Sequence, residues 1–321
     1  ILFVGYRHNV GGDWVIYLRT YNFFLQKDIS LYEYLKIENK EYLFSILNYF
    51  TFNNNLGIHF INIITAFISV FFLHLFFLKV EYKYLALFIL FPIFFVVCLM
   101  GFTRQGIAAS IIFYATTLLL ENKNFKFIFL VILASLFHIS AFVALLFLGY
   151  MFKNFNLKNL IFFFVLLIIS IIFIFFEFSA LNRLFRIYLI TTQQGYQYDG
   201  DEPTGAYFRM LPTLFFSIFL LIYKNDFNLS NHKKNILVYL SFLTIALFIT
   251  SFLFVIVIDR IFYYLIFFQV IVCCEIIKSY SRLSLIFKLL IFVIYFFMHI
   301  VWLLYATHSH LWIPYKNILL L

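Results

Sequence analysis

Met100-Gly101-Phe102-Thr103-Arg104-Gln105-Gly106-Ile107-Ala108-Ala109-Ser110 lies between two almost uncharged apolar runs, Leu85 to Leu99 and Ile111 to Leu120. An arginine where two membrane helices meet is costly unless it has a partner or a task, so it marks a functional position. Thr103 is placed to cap the second helix. Arg104, Gln105 and Gly106 then fall in its first turn, where unpaired backbone N–H groups and the helix dipole favour an anion such as a phosphate or pyrophosphate. Two plainer readings stay open: an arginine snorkelling to the interface, and Gly101, Gly106, Ala108 and Ala109 serving only close helix packing.

The rest of the chain makes those flanking runs membrane helices. Of its 321 residues, 65% are hydrophobic and only 12% charged, against about 25% charged in a soluble domain. Apolar runs of about 20 residues recur between short polar breaks, the length one helix needs to cross a bilayer. The expected fold is an all-α polytopic integral membrane protein, one transmembrane domain over 1–321 with about ten or more transmembrane helices. Ile1-Leu2-Phe3-Val4 reads as the last turn of a helix whose beginning is missing. The net charge of +9 is scattered through short loops without interleaved aromatics, which fits the positive-inside rule and excludes nucleic acid as a partner. Cys98, Cys273 and Cys274 sit in apolar runs as small core residues. No His-Glu-x-x-His, phosphate-binding loop or nucleophile elbow occurs, so no metal or soluble cofactor is expected.

Spans are expected from about Leu56 to Leu78, Tyr84 to Leu99, Arg104 to Leu120, Phe127 to Met151, Lys158 to Phe178, Ala206 to Tyr223, Ile236 to Ile258, Ile261 to Ile277 and Leu285 to Tyr305. Lys79 with Lys83, Lys123 with Lys126, Lys153 with Lys158, Lys224 with Lys233 and Lys234, and Lys278 with Arg282 mark five connections as cytoplasmic. The remaining ones, chiefly 5–55 and 179–205, then face outward. The loops on either side of Phe127 to Met151 are both basic, and a single crossing cannot begin and end on one side. Either one tilted helix violates the charge rule, or two half-helices break near Phe137-His138-Ile139-Ser140 and form a re-entrant hairpin with His138 at its tip.

On this topology the conspicuous polar groups converge on the outer half. Asp13 and Tyr17, and Tyr17 and Tyr21, are four apart and share a helix face, while Trp14 and the tyrosines suit the membrane interface. His138 lies among Leu136, Phe137, Ile139 and Ala141. It is either structural or, as a neutral imidazole, a general base. Arg260 opens the span that follows, with Asp259 as its cap, and a second guanidinium beside Arg104 suits a pyrophosphate held bidentately. Arg183 and Arg186 share a face toward an anion, ahead of a Tyr-, Gln- and carboxylate-rich stretch, Gln193 to Gly205, that suits sugars or is simply solvated. The other histidines read as interfacial.

Gly12-Asp13-Trp14 with Tyr17 and Tyr21, Thr103-Arg104-Gln105-Gly106-Ile107-Ala108, Leu136-Phe137-His138-Ile139-Ser140-Ala141, Arg260 before Tyr263-Tyr264, and Ile313-Pro314-Tyr315-Lys316-Asn317 occur in this order along the chain. Together they resemble the EpsG-like branch of bacterial Wzy-type polysaccharide polymerases. The resemblance implies a metal-independent glycosyltransferase with a GT-C-like fold in the bacterial inner membrane, its active site facing the periplasm. Such an enzyme moves a growing glycan from undecaprenyl pyrophosphate onto a lipid-linked repeat unit, and a chain-length regulator is an expected partner. Arg104 and Arg260 would then neutralise the departing pyrophosphate, His138 would take the hydroxyl proton, and Asp13 would position a sugar or the histidine. Gln105, Tyr17, Trp14, Arg183, Arg186 and Asp259 would bind substrate. The rivals are a single-sugar transferase or ligase with an undecaprenyl-linked donor, and a lipid-linked sugar flippase, which would show repeated halves.

Overall fold

The computed structural model describes residues 1–38, 41–153, 204–306 and 308–320. These fold as α1 (Leu2–Gly5), α2 (Trp14–Leu25), α3 (Leu31–Glu38), α4 (Tyr42–Asn53), α5 (Ile58–Phe77), α6 (Lys83–Leu90), α7 (Thr103–Leu120), α8 (Asn124–Ser135), α9 (Thr204–Tyr223), α10 (Asn231–Phe262), α11 (Ile266–Ser279) and α12 (Ser284–Tyr305). No strand occurs among the described residues, where an isolated antiparallel bridge joins Arg7 to Asn317. The all-α membrane architecture holds. Among the described residues four stretches are long and apolar enough to span, Ile58–Phe77, Gly205–Tyr223, Asn231–Ser279 and Ser281–Tyr305, which does not reach the ten or more expected.

Local chemistry shapes the segments between them. Pro92 brings no N–H to the helical ladder, and α6 gives way to a π-wound segment, Phe91–Leu99, leaving a short compound helix. Helix α7 is less apolar than its neighbours because it carries Thr103, Arg104, Gln105, Thr116 and Thr117, yet all of it except Arg104, Tyr114 and Leu120 is buried. It is the inner helix of the bundle, packed on α5, α8, α10 and the π-wound segment. The described residues exclude 154–203, so the span expected from Lys158 to Phe178, Arg183, Arg186 and nearly all of the Gln193 to Gly205 stretch lie outside them.

The run Phe127 to Met151 is a hairpin. Helix α8 ends at Ser135, the chain breaks over 136–138, and a 3-10 leg, Ile139–Lys153, packs back against α8. Tyr150 Oη donates to Asn124 Oδ1 at 3.1 Å, so the run finishes where it began and His138 is at its tip. The conflict between the two basic loops is thereby resolved without violating the charge rule.

Charge separates the two ends of the bundle. At one end Lys79 and Lys123 both pair with Glu121, at 2.8 and 2.6 Å, and Lys278 pairs with Glu81 at 2.5 Å. Tyr280 Oη donates to Asp226 at 2.6 Å, bringing the connection between α9 and α10 to the same end. At the other end lie the start of α7, the hairpin tip and the end of α10.

Two glycines fix the N-terminal segment at that second end. Gly11 has φ +110°, and a Cβ there would sit 2.1 Å from the Met100 carbonyl oxygen; a Cβ on Gly101 would sit 2.6 Å from Trp312 Cζ2. Only bare backbone permits this stacking of the Gly11-Gly12 turn, Met100-Gly101 and the indole. Trp312 Nε1 donates to Val96 O at 2.8 Å, Gly11 N to Leu311 O at 2.9 Å, and Asp13 N to Gly101 O at 3.2 Å. Asp13 is thus set directly beside the start of α7.

Candidate active site

Thr103 does not cap α7. It is the first helical residue, preceded by Phe102 with no side-chain cap, and its hydroxyl accepts from Arg7 Nη2 at 2.8 Å. Arg7, 1% exposed, donates also to Val4 O, Val10 O and Asn62 Oδ1, at 2.7, 3.2 and 3.0 Å. A buried guanidinium needs such partners, and here they tie the N-terminal segment, α5 and the start of α7 together. Nothing in the polar stretch after Gly5 distinguished Arg7 from a solvated loop arginine.

Arg104, one residue on, points into a line of ionisable groups. Its Nη1 donates to Glu41 Oε2 in a short ion pair, and its Nε donates to Tyr17 Oη at 3.2 Å. Tyr17 Oη donates onward to Asp13 Oδ2 at 3.4 Å, which realises the shared face expected of Asp13 and Tyr17. The other Glu41 oxygen, Oε1, meets His138 Nδ1 in a second short hydrogen bond. The line Asp13–Tyr17–Arg104–Glu41–His138 therefore joins the N-terminal segment, the start of α4, the start of α7 and the hairpin tip.

Glu41 is the hub, and sequence reasoning passed it over. It follows Glu38, Asn39 and Lys40 in the sequence as one more balanced charge, and its partners are 63 and 97 residues away in sequence, so no spacing rule connects them. It is 7% exposed, and its backbone is left-handed at φ +57°, a conformation costing a non-glycine residue about 1 kcal/mol or more. Leu43 N–H donates to Leu136 O at 3.0 Å, pinning the start of α4 to the end of α8 and so Glu41 to the hairpin tip.

Electrostatics differ along the line. Burial alone would raise the Glu41 carboxyl, but His138 and Arg104 together hold it below the usual carboxylate range. Burial pushes Asp13 above its ordinary value, although Arg260, Arg104, the Tyr17 hydroxyl and His138 all act to lower it. Burial also lifts the Tyr17 phenol to about 12, so that hydroxyl stays protonated and relays between Arg104 and Asp13.

Arg260 does not open a new helix. It lies in the last turn of α10, which runs on through Asp259 to Phe262 before the tight turn Tyr263–Leu265, and a cation at a helix C-terminus is favoured by the dipole. Gln105 Nε2 donates to the Arg260 carbonyl at 2.5 Å, Arg260 Nη1 donates to Gln105 Oε1 at 3.2 Å, and the guanidinium lies 4.1 Å from the Phe102 ring centre. Among the described residues no carboxylate stands at ion-pair distance from Arg260. Below it the Tyr263 hydroxyl is buried without a hydrogen-bond partner among those residues, and Tyr264 Oη bonds Ser140 Oγ at 2.7 Å, tying this turn to the hairpin.

Asp259 neither caps a helix nor joins the line. Arg209 of α9 grips it through Nε at 3.1 Å and Nη2 at 2.7 Å. The rule that singled out Arg104 applies equally to Arg209, an arginine inside an apolar span, which was missed. Trp14 is buried behind the line, its ring against His8 and His59. Among the described residues no three of His, Cys, Asp and Glu are grouped to hold a metal ion. Among the described residues the arrangement offers a carboxylate-bound imidazole, an arginine without a counter-ion, and a buried carboxyl that feels both.

The sequence model described as the EpsG family matches residues 1–317. No curated protein and no solved structure matches the chain significantly.

Proposed function

The chain belongs to the EpsG family, and from that premise we propose that it is a polysaccharide polymerase, a membrane glycosyltransferase that works without a metal. Its donor is a growing glycan on undecaprenyl pyrophosphate and its acceptor a lipid-linked repeat unit. The observation that carries this reading is the joining of His138 and Arg260 through one network: Glu41 and Arg104 on one side, Gln105 on the other, with Arg104 and Gln105 adjacent in α7.

In the proposed reaction the acceptor hydroxyl gives its proton to His138 Nε2. The oxygen's electron pair forms the new bond to the anomeric carbon, and the bond from that carbon to the pyrophosphate oxygen breaks with its electrons on the leaving group. Arg260, lacking a counter-ion among the described residues, neutralises that developing charge, and Gln105 holds the guanidinium in place. Arg104 contributes its charge through Glu41 and Tyr17. Asp13 and Tyr17 hydrogen-bond the sugar beside the reacting centre, with Arg183, Arg186 and Trp14 assigned to the wider substrate surface. The positive-inside rule supports a cytoplasmic lysine-bearing end, and on this reading the site faces the periplasm at the inner membrane. A GT-C-like architecture and a chain-length regulator follow by family analogy alone. Transport fits less well, since the polar groups gather at one end instead of lining the full depth.

The test is incubation of the purified protein, without added metal, with the lipid-pyrophosphate-linked repeat unit of the source organism's glycan, followed by gel separation. A ladder of multiples, lost in His138→Ala, is the expected result. A single-sugar addition that needs a monosaccharide phospholipid donor would replace this reading with an ordinary transferase.

A further inference from the structure

The geometry points to Glu41 as the positioning residue that fixes the His138 tautomer: the Glu41 carboxylate holds the proton on Nδ1 and so leaves the Nε2 lone pair facing the acceptor. An ionised carboxylate can only accept hydrogen bonds, so the nitrogen it contacts must carry the hydrogen. That nitrogen is Nδ1. Nε2 meets no hydrogen-bond partner among the described residues, and the ring, 17% exposed, keeps a route to a bound hydroxyl. When Nε2 takes a proton, the carboxylate stabilises the imidazolium that forms, the part an orienting carboxylate plays in other imidazole bases.

Arg104 completes the device. A carboxylate with 6% of its side chain exposed is held in place only if its second oxygen is also satisfied. Arg104 Nη1 does this at Oε2 while its Nε is anchored on Tyr17. The left-handed backbone at Glu41 and the bond from Leu43 to Leu136 aim the carboxylate at the hairpin tip. Strain of this kind persists where the surrounding structure over-determines it, commonly at active sites. Glu41 touches no substrate and acts through His138; Arg104 acts through Glu41.

This inference rests on the polymerase reading for its kinetic arm only. The first measurement is the ¹⁵N spectrum of full-length, histidine-labelled protein in nanodiscs near pH 7.5. Of the eight histidines, His138 is identified by the resonance lost in His138→Gln. A protonated Nδ1 and bare Nε2 are expected, and Glu41→Gln shifts the ring to a mixture of tautomers. A wild-type ring protonated at Nε2, or at both nitrogens, overturns the assignment whether or not any variant folds. In the polymerisation assay Glu41→Gln lowers kcat by about 10²–10⁴-fold, the range that general-base catalysis contributes, with KM little changed, and Glu41→Asp recovers part of the loss. Folded Glu41→Gln with wild-type kcat also overturns it. If wild-type protein forms no polymer at all, the functional reading fails while the spectrum still decides the role of Glu41.

Discussion

Arg209→Met separates architecture from substrate binding at the end of α10. Arg209 and Asp259 form a two-point pair with side chains 20% and 12% exposed. Removing one partner of such a pair strands a buried charge, at a cost of about 3–5 kcal/mol, whereas replacing both with apolar residues of similar volume is often neutral or better. At about 2 °C per kcal/mol for a chain of this size, Arg209→Met or Asp259→Leu alone lowers Tm by about 6–10 °C, and the double variant returns close to wild type. Activity should separate the two single variants. With Arg209 gone, the Asp259 carboxylate is left beside its neighbour Arg260 and competes with the pyrophosphate for that guanidinium, so Arg209→Met raises KM for the lipid-linked donor while the double variant restores it. Thermal unfolding in detergent and initial rates of polymer formation read the two effects. A double variant that is stable but inactive would refute the reasoning and return Asp259 to the substrate site, and singles with unchanged Tm would refute the pair's structural role.

Arg260→Ala lowers kcat about 10²–10³-fold, the usual loss when a preorganised charge stabiliser is removed, and Arg260→Lys restores only part because the planar fork is lost; gel kinetics check both, and wild-type chain growth in Arg260→Ala would count against its role. Gly101→Ala forces a Cβ to 2.6 Å from Trp312 Cζ2 and costs about 1–3 kcal/mol by overpacking, read as a Tm loss that shrinks when Trp312→Leu is added. Two pH series have opposite signs. Glu41, held low by His138 and Arg104, contributes stability that is present above its unfolded value of about 4.3 and lost as pH falls through its lower folded value, so Glu41→Gln lowers Tm at pH 7. Asp13, raised by burial, is destabilising once ionised, so Asp13→Asn raises Tm at pH 7 by an amount that fades toward pH 4.

What the sequence revealed depended on whether the signal was local. Arg104 stood out because an arginine between two apolar runs has no inexpensive explanation, and the hairpin at His138 emerged because two basic loops around one run contradicted each other. Asp13 and Tyr17 were joined by helical spacing alone. Glu41 and Arg7 were invisible, since each is one charge in a balanced polar stretch and becomes exceptional only through burial against residues distant in sequence. Asp259 and Arg260 were misread as a cap and a helix start because apolar runs on both sides suggested a break there; the break falls at Phe254, and the helical segment after it continues through Asp259 and Arg260 and turns after Phe262. Hydropathy registers how apolar a segment is and not what covers it, so the burial of α7 by its neighbours despite its polar side chains was not legible.

The distribution of charge explains why the two arginines are unlike. Glu41 and Arg104 compensate each other, so the imidazole side of the site is close to neutral. Asp13 and Arg260 remain, near enough that the guanidinium is the first of the charges lowering the carboxyl's proton affinity but without an ion pair between them. The Asp13 carboxyl, raised by burial, feels Arg260 across that gap. On the proposed chemistry a pyrophosphate bound at Arg260 takes up that field, and the charged form of the carboxyl then has less support there. The burial of Asp13 disfavours the anion that would compete for Arg260, which is unpaired among the described residues, while the Glu41 carboxylate, locked between Arg104 and His138, keeps its charge where the proton must go.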